Sequence, residues 1–259
     1  MNFTKIAARL RAAGCVYAEE EARMLITAAR TPAELADMAD RRAAGLPLEH
    51  VIGWAEFCGL RIKVDPGVFV PRHRSEFLAR KAAALARSGA VVVDLCCGTG
   101  ALGAVLAAAW ERIELHAVDI DPAAVRCARR NVAAAGGRVY EGDLYEPLPA
   151  ELRDRVDILI ANAPYVPTKA IPLMPYEART YEKRVALDGG EDGLDIQRRV
   201  VEAAPLWLAP GGQLLVETSE RQVPQTVGIF SRGGLIPKVV KSDEWDATVV
   251  VGTKQDESK

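Results

Sequence analysis

The 259-residue chain has no run of about 18 apolar residues free of charge, which excludes a membrane-spanning helix. Its first residues, MNFTKIAARLRAAG, interleave charge with the apolar positions and lack the long apolar stretch of a secretory signal. Cysteine is sparse, with five residues, an odd number, and no Cys-x-x-Cys pair. That spacing argues against a disulfide framework or a zinc site, so no metal is expected and the thiols read as reduced, in a cytoplasmic protein. An excess of one charge is missing too. With 33 Lys and Arg against 35 Asp and Glu, the net charge of −2 gives no bulk attraction for nucleic acid. There is no internal repeat. What is present is a chain 49% hydrophobic and 26% charged, long enough for one large domain and a small accessory one.

The charge is unevenly spread. Residues 1–90 carry fourteen bases against ten acids, which leaves a mildly basic front and an acidic remainder. Such a front suits an acidic or RNA-associated partner, and equally suits the solvated faces of ordinary helices.

Residues 4–44 have the periodicity of two or three amphipathic helices, with Leu10, Val16, Met24, Leu25, Leu35 and Met38 as the apolar stripe. Residues 57–64 alternate on a two-residue period, and Asp65-Pro66-Gly67 turns them into 68–70, which predicts a hairpin. A helix over 76–87 follows, with Ser75 as its N-cap. From 90 onward strands and helices alternate: strands at 90–95, 113–118, 138–141, 156–161 and 213–218, helices at 101–110, 122–135, 191–208 and 220–232. A long Pro-rich loop is expected over 164–190, a strand pair at 237–241 and 247–251 closes the fold, and 254–259 is expected to fray. Alternation of this kind implies a parallel sheet covered by helices on both faces.

The first chemical signal is Val91-Val92-Val93-Asp94-Leu95-Cys96-Cys97-Gly98-Thr99-Gly100-Ala101-Leu102-Gly103, a strand running through a Gly-rich turn into a helix. Gly98 and Gly100 let a ligand approach the backbone, and the helix start offers free N–H groups. Asp119 ends the next strand about 20 residues on, where a carboxylate accepts from ribose hydroxyls. Gly98-Thr99-Gly100-Ala101-Leu102-Gly103 also matches the dinucleotide fingerprint. Asp94 before the glycines would repel a pyrophosphate but could bind an ammonium group, which favours S-adenosylmethionine, a ligand with an amine, a ribose and no phosphate. Asp143, at the end of the third strand, is placed to accept from the adenine amine, with Leu144 against the ring.

The second signal is the strand 158–161 ending in Asn162-Ala163-Pro164-Tyr165. A planar NH2 is a poor nucleophile because its lone pair is delocalised. The Asn162 side-chain oxygen and the Ala163 carbonyl could each accept one N–H, favour the pyramidal form and aim the lone pair at a methyl group. Tyr165 would stack on the flat acceptor, and Pro164 keeps Ala163 extended. Read alone, the run is also an ordinary turn after a strand.

With these motifs the chain resembles the protein-(glutamine-N5) methyltransferase family of HemK/PrmC type, whose best-known members methylate the Gly-Gly-Gln glutamine of class I peptide-chain release factors. The likeness includes Glu56-Phe57-Cys58-Gly59-Leu60, Val70-Pro71-Arg72 with Glu76, the donor loop, Asp119, Asp143, Asn162–Tyr165, and the run 186–195. It implies an α/β fold: a seven-stranded Rossmann-like class I methyltransferase sheet in the order 3-2-1-4-5-7-6, with a small N-terminal helical domain and β-hairpin. It further implies substrate docking by residues 1–75 and a methyltransferase domain over 76–254, with 255–259 a polar tail. The donor would be S-adenosyl-L-methionine, leaving S-adenosyl-L-homocysteine. Donor binding would fall to Asp94, Cys96, Cys97, Gly98, Thr99, Gly100, Asp119, Ile120, Asp143, Leu144 and Asn162. Catalysis would fall to Asn162, Ala163, Pro164 and Tyr165, with Arg72 and Glu76 joining them on the substrate.

Three motifs depart from the family pattern. Pro-Arg-Pro-Glu-Thr-Glu stands as Pro71-Arg72-His73-Arg74-Ser75-Glu76, Asn-Pro-Pro-Tyr has Ala163 in its second place, and Cys96-Cys97 replace the Gly-rich start of the donor loop. The expected partner is a protein, a class I release factor, met by a monomer with no membrane or stable nucleic-acid partner. Two alternatives stay open: a nucleic-acid adenine-N6 or guanine-N2 methyltransferase, and a donor-binding scaffold silenced by its substitutions. His73 reads as a loop residue facing solvent. Cys96 and Cys97 read as small turn residues without a cationic activator. Trp110, Trp207 and Trp245 read as core anchors, and Trp54 as a weak candidate for substrate contact.

Overall fold

The computed structural model describes residues 2–256. The front of the chain forms α1 (Phe3–Ala12), α2 (Ala18–Ala28), α3 (Pro32–Ala43) and the short α4 (Leu48–Ile52). Asn2 caps α1 by accepting from the Lys5 N–H at 3.1 Å, and Thr31 caps α3 by accepting from Glu34 N–H at 3.1 Å ahead of Pro32. Ile6, Leu10, Leu25, Leu35, Met38 and Val51 close a core of their own. Val16, expected in that stripe, lies in the link between two helices and is 84% exposed. An ion trio, with Arg42 and Glu21 buried and Glu177 partly exposed, ties this bundle to the rest. Arg42 donates through Nε to Glu21 (2.6 Å) and through Nη1 to Glu177 (2.6 Å), far along the chain.

The hairpin exists but is shifted from the expected register. It pairs β1 (Trp54–Phe57) with β2 (Leu60–Lys63) across Cys58-Gly59, both at positive φ (51° and 76°), the requirement of a two-residue turn matching strand twist. The alternating run 57–64 is therefore two strand halves, and Asp65-Pro66-Gly67 leads into extended chain without a partner strand. Phe57 and Ile62 bury in the same core as α5 (Ser75–Leu85), so the hairpin packs on the sheet body. Ser75 begins α5 and does not cap it. The cap position is Arg74, without a side-chain cap bond.

The main body is a seven-stranded sheet: β3 (Val91–Leu95), β4 (Glu114–Asp119), β5 (Arg138–Glu141), β6 (Val156–Ala161), β7 (Leu208–Thr218), β8 (Leu235–Ser242) and β9 (Ala247–Lys254). Their order is β5-β4-β3-β6-β7-β9-β8, with β9 antiparallel to both of its neighbours, which is the expected 3-2-1-4-5-7-6 arrangement. The helices α6 (Ala101–Ala109), α7 (Pro122–Val132), α9 (Asp195–Trp207) and α10 (Val223–Arg232) cover its two faces, with α8 (Tyr176–Tyr181) between α7 and α9 in the chain. The expected loop 164–190 is structured. It holds 3-10 turns at Thr168–Leu173 and Arg184–Ala186 flanking α8, short elements whose prolines hide any helical period. Of the expected tail, Lys254 belongs to β9, and 257–259 lie outside the described residues. Among the described residues no helix is long and apolar enough to cross a membrane.

Candidate active site

Five parallel strands deliver their carboxyl ends to one edge of the sheet, and the order reverses between β3 and β6, where α/β sheets place their ligands. Register does the rest. Leu95 pairs with Ala161, setting the loop 96–100 beside 162–165; Asp119 pairs with Glu141, setting it beside the turn at Asp143; Ala161 pairs with Val216, setting Glu217 beside Asn162. These loops line one cavity.

Of the residues expected to bind a donor, Cys96, Cys97, Gly98, Thr99, Asp119, Ile120, Asp143, Leu144 and Asn162 line that cavity. Asp119 accepts the Gly98 N–H at 2.8 Å on one oxygen and the Asp121 N–H at 2.9 Å on the other, leaving further lone pairs for hydroxyl donors. Burial raises its pKa, and those backbone N–H groups oppose the rise. Asp143 is already bound to Arg199 Nη2 at 2.7 Å, a cation the sequence did not single out. Burial pushes the Cys96 and Cys97 thiols up, helped by the carboxylates of Asp94 and Asp119, so neither forms a thiolate readily.

Three expected residues do not reach the wall. Asp94 is fully buried beneath the loop, accepts the Gly103 N–H at 3.0 Å, and leaves Oδ1 without a partner. Burial pushes its pKa up to about 7. Gly100 takes φ 75° where an added Cβ would sit 3.1 Å from the Ala128 Cβ, so it serves the packing of α6 on α7. An added Cβ at Gly98 (φ 54°) would meet nothing. Glu76 is buried on the first turn of α5, with its carboxylate near His73 (3.3 Å) and Arg80 (3.4 Å). Among the tryptophans, Trp207 joins the core, Trp110 is partly exposed and donates to the Ala83 carbonyl at 2.7 Å, and Trp245 lies beside His73. Trp54 lies under the Arg61 guanidinium and outside the cavity.

Asn162, Ala163, Pro164, Tyr165 and Arg72 all line the cavity. The Asn162 Nδ2 donates to Ser75 Oγ at 3.1 Å, and among the described residues its Oδ1 takes no hydrogen bond. Ser75 is 2% exposed, so the contact holds the amide with its oxygen free. The Tyr165 hydroxyl donates to Glu217 at 3.0 Å, and burial with that carboxylate pushes its pKa up. Glu217 itself is 2% exposed, has one oxygen without a partner, and faces Arg74. Gln222 donates to the carbonyls of Tyr165 (3.1 Å) and Asp192 (3.0 Å), tying the loop to the run 186–195. The segment 164–190 is clipped over the cavity by Arg72 on Glu182 (2.5 Å) and Lys183 on Asp121 (2.6 Å). Glu217, Lys183 and Arg199 carry no local motif and Ser75 reads in sequence only as a helix cap; strand register brings in Glu217, and the placement of α5, α9 and the segment before residue 184 brings in the others.

A family model described as the methyltransferase small domain matches residues 59–175. The release factor glutamine methyltransferase of Geobacter sulfurreducens is 39% identical over 226 residues, covering 85% of this chain and 78% of its own. The chain belongs to the release factor glutamine methyltransferase family. Within the same range of similarity stands the 4-amino-L-phenylalanine/4-methylamino-L-phenylalanine methyltransferase of Streptomyces pristinaespiralis, 36% identical over 201 residues, 75% of this chain and 68% of that one. A methyltransferase crystal structure from Pyrococcus furiosus shares the fold at TM-score 0.57 and 19% identity, over 76% of this chain and 90% of that chain. In this release factor glutamine methyltransferase family member, Arg74 and Ala163 both line the cavity.

Proposed function

We propose that this protein transfers a methyl group from S-adenosyl-L-methionine to the side-chain amide nitrogen of a protein glutamine, that of the Gly-Gly-Gln motif of a class I release factor. The observation that carries this reading is the Ser75–Asn162 bond, which leaves an amide oxygen free at the wall of the cavity. Asn162 Oδ1 and the Ala163 carbonyl accept the two N–H groups of the acceptor and hold its nitrogen out of conjugation. Tyr165, braced on Glu217, flanks the flat amide. When bound, the donor supplies an electrophilic sulfonium methyl group.

The cavity suits that donor. Asp119 has spare lone pairs for ribose hydroxyls, Gly98 leaves open space, Leu144 and Ile120 offer apolar contact, and Asp143 stands ready for the adenine amine. Asp94 acts from below, fixing the first turn of α6 through Gly103. We place the protein in the cytoplasm as a monomer, with residues 1–75 contributing to acceptor docking. The near-neutral charge gives no support to a nucleic-acid acceptor.

The test is transfer of radiolabelled methyl to a purified class I release factor, to its version with the Gly-Gly-Gln glutamine changed to alanine, and to whole-cell extract. Label on the first and not on the second is expected. Label only on another extract protein would retire the release factor, and donor binding without any transfer would retire catalysis.

A further inference from the structure

The donor loop 96–100 is held from behind by a side chain that neither chemical motif contains. Asn131 stands in the last turn of α7 and uses its whole amide on two main-chain segments far apart in sequence. Its Oδ1 accepts the Lys63 N–H at 2.9 Å, and its Nδ2 donates to the Lys63 carbonyl at 2.9 Å and to the Thr99 carbonyl at 2.8 Å. The two bonds to Lys63 treat the end of β2 as a neighbouring strand would, and they fix which way round the amide sits. Its second N–H is thereby aimed at the loop. Cys127, one turn earlier on α7, donates its thiol to the same Lys63 carbonyl at 3.1 Å, and Val68 packs on Ala124 and Cys127. This face of α7 is therefore seated on the chain that leaves the hairpin.

The loop needs such a hold. Cys96, Gly98 and Gly100 take positive φ (55°, 54° and 75°), and the glycines leave their peptides free to turn over. Asp119 accepts the Gly98 N–H, and the Cys97 carbonyl accepts the Gly100 N–H at 2.7 Å. The Thr99–Gly100 peptide is thus fixed at its nitrogen by the loop itself and at its oxygen by Asn131. Gly98 and Thr99 both line the cavity, so a loop left to be ordered by its ligand would weaken apparent donor affinity.

We infer that Asn131 is a positioning residue for donor binding: it fixes the donor loop to the end of the hairpin and presets the shape that S-adenosyl-L-methionine meets. The inference rests on the donor-binding part of the proposed function and adds the group that holds the loop. Asn131 does not line the cavity and acts through Thr99. Once the donor is bound the loop is ordered in either case, so the transfer step is untouched.

Calorimetric titration with S-adenosyl-L-methionine and with S-adenosyl-L-homocysteine compares the wild type, Asn131→Asp and Arg130→Met. Asn131→Asp keeps the shape of the side chain but sets oxygen against both carbonyls, and Kd for each ligand is expected to rise roughly tenfold. Arg130→Met breaks the ion pair with Asp65 (2.5 Å), on the same helix and beside the same hairpin end but without a bond to the loop, and Kd is expected to change less than about twofold. At saturating donor, kcat and the acceptor KM of Asn131→Asp are expected to match the wild type. Without donor, hydrogen exchange at Gly98 and Gly100 is expected to quicken in Asn131→Asp and not in Arg130→Met. A partly unfolded sample lowers the stoichiometry of the titration and leaves Kd where it was. An Asn131→Asp Kd equal to that of the wild type, or an equal rise in Arg130→Met, would overturn this inference alone. A wild type that binds neither ligand would sink the donor reading beneath it as well.

Discussion

Ser75→Ala separates two roles for one hydroxyl. As a helix cap, Ser75 would contribute about 1 kcal/mol of stability and nothing to turnover. The structure assigns the hydroxyl to Asn162 Nδ2 at 3.1 Å, with no cap bond on α5. Alanine is a better helix former than serine at this position, which offsets part of the lost bond. Asn162 is only half-buried at the cavity wall, so water can replace the partner. The net change in stability is therefore expected to stay within about 1 kcal/mol, a few degrees of Tm for a chain of this size. Turnover responds differently. The bond favours one orientation of the amide by about 1 kcal/mol, roughly a fivefold bias, and without it Asn162 presents NH2 as readily as oxygen to the acceptor. The productive orientation falls from about five-sixths to about one-half of the population, so single-turnover transfer of labelled methyl at saturating donor should fall roughly twofold, with donor affinity unchanged by calorimetry. An unchanged rate beside a drop in Tm would return Ser75 to the capping role and refute the argument.

Three further outcomes are expected. Asp94 titrates above its unfolded value, so the native state holds a proton that the unfolded chain releases, and its contribution to stability falls as pH rises from about 4 to about 7. Asp94→Asn should gain on the parent by up to about 4 kcal/mol at pH 8 and lose that advantage towards pH 4; urea melts of equal spacing at both ends would contradict this. Gly100→Ala adds a contact 3.1 Å from Ala128 to left-handed strain and should lose about 2 kcal/mol of stability, whereas Gly98→Ala should lose more donor affinity than stability, as melts and calorimetric titration would reveal. Arg42→Met leaves the buried Glu21 without its cation and should weaken the helical front by about 3 kcal/mol, read as faster hydrogen exchange across α1–α4 and α8 together. Protection unchanged in α8 would show that Glu177 does not hold it.

The sheet was legible in the sequence because buried parallel strands are continuous apolar runs separated by helical periods, and its order came with the family resemblance. The hairpin was misplaced because Cys58 and Gly59 continue an alternating pattern while both adopt positive φ, a property of backbone that no side-chain period reveals. The segment 164–190 looked like loop because its helical pieces are too short to show a period. In the site, the strand-end residues Asp119, Asp143 and Asn162 could be found since their place follows from chain order. Asp94 and Gly100 match a motif whose spacing also serves packing, and only the third dimension separates the two uses. Ser75 meets Asn162 across 87 residues, and Glu217 meets Tyr165 across 52, pairings that one chain read end to end does not contain.

The antiparallel strand β9 sits between β7 and β8, so the sheet is completed from the inside by the last strand to be synthesised. Until residue 254 has left the ribosome, β8 has no neighbour to pair with and the outer edge of β7 stays open. Val249, Val250 and Val251 then bury on the two faces together, Val249 and Val251 against α5's side and Val250 against α10's. The nascent chain can settle the loops after β3, β4 and β5 early, yet the strand that carries Glu217 gains its second neighbour only with β9. The cavity wall at Glu217 thus waits for β9, and a chain stalled before that strand would present an adhesive strand edge to the quality-control machinery of the cell.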